Sequence, residues 1–368
     1  MAQITKLNAG KILSLFSGCG GLDLGFHLEG YKTIWANDFS KFAVDSFNNF
    51  FGNIAVHANI EDIDPSSTPD CDLILGGFPC QDFSIIWKQP GLDGARGGLY
   101  RYFLNFVRIK KPKCFIAENV KGLLTANKNL AIETIVKDFE SISPGYVVKP
   151  KLYNFADYGV PQFRERVLIV GIRKDTGFCF KHPKPSHGPN RKNDYVTAGQ
   201  ALKGVEATLY NNEKIRCLEK TRQFLELIPE GGNFSDVPRS HPLYVKGMIS
   251  HVYRRINLNE PSKTLIAAGG GGTWGYHYPE PRPLTNRERA RLQSFPDDFV
   301  FSGPISEVRR QIGNAVPPTG VRLLAKTLKS LFNNTYTPSD LDKEFAHLKG
   351  LTIKERLIFV KNEFDEKD

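Results

Sequence analysis

Lys11-Ile-Leu-Ser-Leu-Phe16 runs directly into Ser17-Gly-Cys-Gly-Gly21, and Leu22-Asp-Leu-Gly-Phe-His-Leu28 follows. The first stretch is short and apolar, as a buried strand is. The second is a glycine turn, and the third repeats apolar residues at helical spacing. The pattern recurs: Thr33 to Ala36 reads as a second strand ending at Asn37-Asp38, and Cys71 to Leu75 as a third ending at Gly76-Gly77. Cys114 to Ala117 and Arg166 to Ile172 add buried strands, with a helical pattern over Ala131 to Phe139 between them. Such alternation predicts an α/β fold with a doubly wound, mostly parallel sheet. Ligands of such sheets bind beyond the carboxyl ends of the strands.

From Asp175 to Pro283 the pattern changes to Pro, Gly, Lys and Asn in short irregular runs, which predicts a separate, smaller domain. Regularity returns as a helix over Thr285 to Ser294, with Arg287, Arg289 and Arg291 alternating around it, and again over Val321 to Leu331. The expected division is 1–174, 175–283, 284–335 and a charged tail, 336–368. Asp340 to Asp368 holds eight acidic and six basic residues and reads as a solvated helix pair.

The chain has 368 residues, 40% of them apolar, enough for a large buried core, which excludes a disordered or fibrous protein. Its 49 Lys and Arg against 39 Asp and Glu give a net charge of +10, which favours a polyanionic partner. Lys149 to Lys192 carries ten basic and three acidic residues, and Arg239 to Arg291 nine and three. These stripes read either as solvated faces or as the two sides of a nucleic-acid cleft. Six dispersed cysteines without a C-x-x-C pair exclude a zinc ribbon and a disulfide scaffold, predict no metal, and fit a reducing cytoplasm. Met1 to Gly10 lacks the apolar run of a signal peptide, and no stretch has the apolar length of a membrane span.

The glycine turn lets a ligand approach the backbone, and Asp38, ending the second strand, is placed to accept from ribose hydroxyls. No Lys follows the glycines, so this is not an NTP phosphate loop. Phe39 either lies on an adenine face or is core. Cys80, in Gly76-Gly-Phe-Pro-Cys-Gln81, falls at the sheet's carboxyl edge, whereas Cys71, Cys114 and Cys179 read as inert buried hydrophobes. A nucleophilic thiol needs nearby positive charge, which Arg164 and Arg166 could supply. Ser84 to Gly98, with four glycines, has the composition of a closing loop. Glu118-Asn119-Val120 puts a carboxyl on the same edge; a surface turn is the plainer reading of that pair taken alone.

Together these segments resemble the DNA (cytosine-5)-methyltransferase family. Phe16 to Leu22 is similar to its cofactor turn, Pro79-Cys80-Gln81 to its catalytic segment, Glu118-Asn119-Val120 to E-N-V, and Gln162 to Arg166 to Q-x-R-x-R. Arg287 to Pro296 and Gln311 to Pro317 resemble its last two motifs. The resemblance implies S-adenosylmethionine as cofactor, held by Phe16, Gly18, Gly20, Gly21, Leu22, Asp38, Phe39, Asn59, Ile60, Pro79, Asn314 and Val316. Asn59 departs from the acid often found there, although its amide oxygen can still accept. It further implies that Cys80 adds to carbon 6 of cytosine, Glu118 binds the N3/N4 edge and Arg166 contacts O2. Arg164 is expected to hold the closed loop and the thiolate. The base must be flipped out of the duplex.

The segment 175–283 corresponds to the family's target recognition domain, with Thr264-Leu265 resembling a pair used there. Ser84, Thr264, Gly270 and Trp274 are expected to touch DNA, with Arg254 and Arg255 as base-edge candidates. The resemblance implies a monomeric bacterial modification enzyme acting on double-stranded DNA, paired in function with a restriction endonuclease without a stable complex. The family's tRNA-methylating branch is the alternative. A non-catalytic DNA-binding relative leaves Cys80, Glu118 and Arg166 without a role, and a nucleotide-dependent oxidoreductase leaves Pro79-Cys80 and Q-x-R-x-R unexplained.

Overall fold

A computed structural model describes residues 10–79, 98–244, 252–267, 271–273, 275–333 and 338–363. The opening stretch forms β1 (Lys11–Leu15) and α1 (Gly21–His27), followed by β2 (Lys32–Asp38), α2 (Lys41–Phe51), β3 (Ala55–His57) and β4 (Leu73–Gly76). Then come α3 (Tyr100–Lys110), β5 (Cys114–Val120), α4 (Leu130–Glu140), β6 (Tyr146–Asn154) and β7 (Glu165–Arg173). These strands make a seven-stranded sheet in the order β3-β2-β1-β4-β5-β7-β6. The first five in that order run parallel, and β7 is antiparallel to both β5 and β6. The sheet is the mostly parallel α/β one expected, with one reversal: the Arg166 to Ile172 strand runs against its neighbours.

Both faces are covered, which is why the strands read as unbroken apolar runs. Ile12, Leu73, Leu75, Ile116 and Leu168 pack with Leu22 and Phe26 of α1 and with Val321, Leu324 and Leu328. Their strand neighbours Leu13, Ile74 and Phe115 pack on the other face with Phe103 and Val107 of α3 and Ile132 and Ile135 of α4. β6 escapes a reading by apolar pattern because Lys149, Pro150 and Lys151 interrupt it. It is an edge strand, where a proline costs no ladder bond to a second neighbour.

Besides single 3-10 turns, the irregular stretch holds only two short α-helices among the described residues, α5 (Ala198–Leu202) and α6 (Glu219–Glu226). The chain returns through α7 (Asn286–Leu292), α8 (Ile305–Asn314) and α9 (Pro318–Asn333). With few ladders, backbone carbonyls here need other donors, and buried arginines supply them. Arg287 donates to the carbonyls of Tyr210, Pro296 and Phe299. The alternating arginines of α7 therefore do not form a solvated face: Arg287 and Arg289 are fully buried.

The tail does form a helix pair, α10 (Pro338–Lys349) and α11 (Ile353–Asn362), but solvent meets only its outer face. Leu348, Ile353 and Val360 are buried, and the pair lies along the β6 edge. Lys149 of β6, buried, pairs with Glu344 and, at 2.6 Å, with Glu363. Arg356 pairs with Glu140 of α4 and donates to the carbonyls of Val148 and Leu348. The tail's charges thus serve the sheet's own edge. Lys149→Ala would leave two buried carboxylates without their cation, an expected loss of about 3–5 kcal/mol in unfolding free energy, read by urea denaturation; a change below 1 kcal/mol would contradict the latch.

Candidate active site

The first half of the site is the turn between β1 and α1. Gly20 caps α1 at φ +90°, a conformation that a side chain disfavours. Gly21 carries no Cβ because one would stand 2.3 Å from the Val316 carbonyl oxygen. The segment after α8 therefore closes directly on the turn, with Asn314 exposed at the helix end and Val316 buried in the core beside Leu22. Leu22 is held in that core by its side chain.

Asp38 accepts from the Gly18 amide at 2.8 Å and the Ser40 amide at 2.9 Å, so the turn and the β2 end form one rigid unit. Burial raises the Asp38 carboxyl above its ordinary range, against the pull of those two amides. Phe39, beside it, is 69% exposed. A core role for Phe39 is thereby excluded, and a bare ring stands next to the Asp38 carboxyl. Asn59 is exposed and makes no cap bond to the turn that follows it; its neighbour Ile60 is buried. Phe16 takes φ +52°, and its amide reaches the Asn37 side chain at 3.4 Å.

Asn37 was not singled out by sequence, although it ends the same strand as Asp38. Its amide also donates to the Ala58 carbonyl at 3.0 Å, tying the loops after β1 and β3 together. Asp23 was missed too. Wholly buried under the turn, it accepts from Ser14 and Thr33 at 2.8 Å each, and burial pushes its carboxyl up to about 6.

The second half sits at the ends of β4, β5 and β7. Because β7 is antiparallel to β5, Arg166 pairs with Val120 and Leu168 with Glu118 in the ladder. Glu118 and Arg166 are then diagonal neighbours on one face, and Arg166 Nε lies 3.0 Å from Glu118 Oε1. Burial raises the Glu118 carboxyl, while Arg166 and then Arg164 oppose the rise. The other Glu118 oxygen lies 2.9 Å from where a Cβ on Gly77 would stand, so the glycine before Phe78 makes room for the carboxyl. Asn119, also missed, donates to the Phe78 carbonyl at 2.9 Å and fixes the approach to Pro79, which is exposed.

Cys80, Ser84, Gly270 and Trp274 lie outside the described residues. Of the cysteines read as buried, Cys114 is so, Cys71 is half-buried, and Cys179 is exposed. Arg164 does not line the open edge: it is 1% exposed and donates to the carbonyls of Gly313 at 2.8 Å and Leu265 at 3.3 Å. Burial brings its guanidinium down to about 9. Gln162 accepts from the Leu265 amide at 3.2 Å, and Thr264 donates to the Phe163 carbonyl at 2.7 Å.

Arg255 is not a base reader. It is buried, and its guanidinium donates to the carbonyls of His277, Leu225, Ile228 and Pro279, leaving its fork spent inside the domain. Arg254 is half-buried. The two basic stripes lose much of their outward charge in the same way: Arg164, Arg255, Arg287 and Arg289 are buried, Lys149 and Arg173 pair with acids, and Arg282 pairs with Glu280 and Glu288.

Comparison with known proteins adds an independent finding. The model of the family described as C-5 cytosine-specific DNA methylase matches residues 10–330. The chain is 62% identical over 364 residues to Type II methyltransferase M.NgoFVII of Neisseria gonorrhoeae, covering 96% of this chain and 97% of that one. It is 40% identical to Type II methyltransferase M.BbvI of Brevibacillus brevis, covering 88% and 92%. Among solved structures, one described as a prophage-encoded DNA modification methyltransferase of E. coli superposes with a TM-score of 0.65 at 26% identity, covering 88% of this chain and 99% of that one. A Spodoptera frugiperda DNMT2 structure shares the fold at a TM-score of 0.59 and 17% identity, covering 86% and 99%.

Two outcomes test the cofactor half. Phe39→Ala should weaken nucleoside-cofactor binding roughly 2- to 10-fold, the range of one aromatic stack, with an unchanged melting midpoint because the ring is exposed; calorimetric titration reads it, and unaltered affinity refutes the stacking role. Asp23 keeps its proton in the folded state up to about pH 6 but loses it near pH 4 when unfolded. Stability should therefore fall by ~3 kcal/mol as pH rises through that window, and Asp23→Asn should flatten the fall in denaturation curves taken at successive pH values.

Proposed function

The chain belongs to the C-5 cytosine-specific DNA methylase family, and from that premise we propose how its own residues carry out the reaction. It is a DNA (cytosine-5)-methyltransferase using S-adenosylmethionine. Relatives named as type II methyltransferases support a role in restriction-modification, and in this proposal the enzyme marks a short duplex site against a cognate nuclease. It acts on that site as a cytoplasmic monomer, without a stable complex with the nuclease. No helix among the described residues is long and apolar enough to cross a membrane.

One observation carries the chemistry: a Glu118 and Arg166 pair at 3.0 Å, at the sheet edge beside Gly77 to Pro79. Carbon 5 of cytosine is too weak a nucleophile to react unaided. The Cys80 thiolate forms a bond to carbon 6, and the electron pair of the 5,6 double bond moves onto carbon 5. Glu118, raised by burial towards its acid form, donates to N3 and accepts from the N4 amino group across its two oxygens. Arg166 holds Glu118 in place and donates to O2, where negative charge gathers. The glycine turn, Asp38 and Phe39 would hold S-adenosylmethionine, whose sulfonium would supply the electrophilic methyl to carbon 5, the methyl–sulfur bond breaking to leave the neutral thioether. Loss of the carbon 5 proton to solvent then restores the double bond and expels the Cys80 thiolate. The target cytosine reaches these groups only when flipped from the stack.

The pocket residues suit the cofactor: an acid at a strand end, an exposed ring beside it and a turn stripped of side chains. Transfer of labelled methyl to duplex DNA should be abolished by Cys80→Ser and reduced about 10²- to 10⁴-fold by Glu118→Gln. Duplexes carrying 5-fluorocytosine at the site, mapped first by bisulfite sequencing, should trap a covalent adduct with the parent enzyme. Wild-type labelling by Cys80→Ser would end this mechanism, and labelling of tRNA in place of DNA would end the substrate assignment.

A further inference from the structure

Most cations of the stretch from Lys149 to Lys192 already have partners within the protein. Lys149 and Lys174 meet acids of the tail, Arg173 meets Asp175, and Arg166 meets Glu118. Arg191 and Lys192 differ. Both are exposed, and among the described residues neither forms an ion pair, although Asp194 follows two positions after Lys192. Two adjacent cations without an acid to neutralise them favour an anion from outside the chain.

The route of the chain decides where they stand. After β7 it returns alongside β6, where the Phe180 carbonyl accepts from Lys149 at 2.6 Å and the Pro183 carbonyl from Lys151 at 3.5 Å. Past the end of β6, the amides of Ser186 and His187 donate to the Asp157 carbonyl at 2.9 and 3.0 Å. Because β6 is antiparallel to β7, that end of β6 lies at the edge where β7 begins with Glu165 and Arg166. The chain thus emerges on the ligand side of the sheet, and β6 itself is two strand spacings, about 10 Å, from the strand of Glu118. There the backbone closes a turn on itself. The Gly188 amide donates to the Asn193 carbonyl at 2.9 Å, the Asn193 amide to the Ser186 carbonyl at 3.2 Å, and the Arg191 amide to the Gly188 carbonyl at 3.1 Å. Asn190 takes φ +59°, which asparagine tolerates. The Tyr195 hydroxyl donates to Asp157 at 3.0 Å, and its ring meets Phe163 edge-on at 5.4 Å. Phe163 lies between Gln162 and Arg164, so the turn is pinned to the stretch that delivers Arg166.

We propose that Arg191 and Lys192 bind backbone phosphates of the target duplex, and that the attachment of their turn to Asp157 and Phe163 sets those phosphates at a fixed offset from the Glu118 and Arg166 pair. Phosphate contacts fix the register of a duplex without reading its sequence. That task suits two long, exposed cations on a backbone that is itself held. The inference rests on the reading that the substrate is duplex DNA, and the experiment separates the two.

Fluorescence anisotropy of a labelled duplex carrying the mapped site, taken across a salt series, would compare the full-length enzyme with Arg191→Ala, Lys192→Ala, the double variant and Lys137→Ala, which removes an exposed cation of α4. Each cation lost from the turn should take about one from the slope of log Kd against log salt, and the double variant about two. At ~0.1 M salt the double variant should bind about 10- to 100-fold more weakly, by the same factor on the mapped site and on single-pair mismatches. Its melting midpoint should not move, and its affinity for S-adenosylmethionine should stay within twofold of the parent, because both side chains are exposed. Lys137→Ala should leave the slope as it is. An unchanged slope in the double variant overturns the proposal. An equal loss in Lys137→Ala overturns it as well, since the effect would then be that of net charge and not of this turn. Altered discrimination at one base pair would mean that the turn reads a base edge, which also refutes phosphate binding. A parent enzyme that neither binds nor methylates duplex DNA would end the substrate reading itself, and this inference with it.

Discussion

The antiparallel pairing of β5 with β7 is the constraint on which the meeting of Glu118 and Arg166 depends. In a sheet of parallel strands only carboxyl ends reach the ligand side. Reversing one strand brings an amino-terminal end there, and with it the Gln162 to Arg166 stretch. The register then decides chemistry: Val120 opposite Arg166 sets Glu118 diagonal to the guanidinium. A slip of one residue would send Arg166 to the other face of the sheet. The long ladders of β7 with both neighbours make such a slip costly.

A second constraint governs the loop-rich half. Backbone carbonyls that lack a strand partner must still be satisfied, and arginine is suited to the task because one planar group offers five donors. Arg164, Arg255, Arg287, Arg289 and Arg309 all donate to main-chain carbonyls. This changes the meaning of the net charge. A sequence count of cations treats each as part of an outward field, yet many of these act as internal cross-links. The field that DNA meets comes from fewer residues than the stripes suggest.

Much of the fold could be read from sequence because doubly covered strands are apolar runs ended by Gly or by polar residues such as Asp38 and Glu118. The strands at Lys11, Thr33, Cys71 and Cys114 were legible for that reason. β6 was not, since its lysines and Pro150 belong to an edge that the tail covers, and that partnership spans some two hundred residues of sequence. The glycine turn, Asp38, Glu118 and Arg166 were legible by residue type at strand ends. Asn37, Asp23 and Asn119 were not, because their roles lie in whom they bond rather than in what they are. Arg255 shows the converse: a residue type suited to reading guanine, consumed by four carbonyls that no sequence pattern displays.

The return of the chain after the irregular stretch packs directly on the glycine turn that follows β1. Gly21 and Gly313 are both places where a Cβ would strike backbone, one from Val316 and the other from Ala267. Two close approaches thus clamp the stretch from Gly313 to Val316 between the glycine turn after β1 and the backbone at Ala267. Arg164 adds its bond to the Gly313 carbonyl from β7. The turn near residue 20 is therefore complete only when the segment near residue 315 has docked, and that segment docks against elements that the irregular domain also grips. The turn at Gly20 and Gly21, Arg164 before β7 and the backbone at Ala267 all meet the stretch from Gly313 to Val316, so a small side chain added at either glycine would disturb the docking of that stretch.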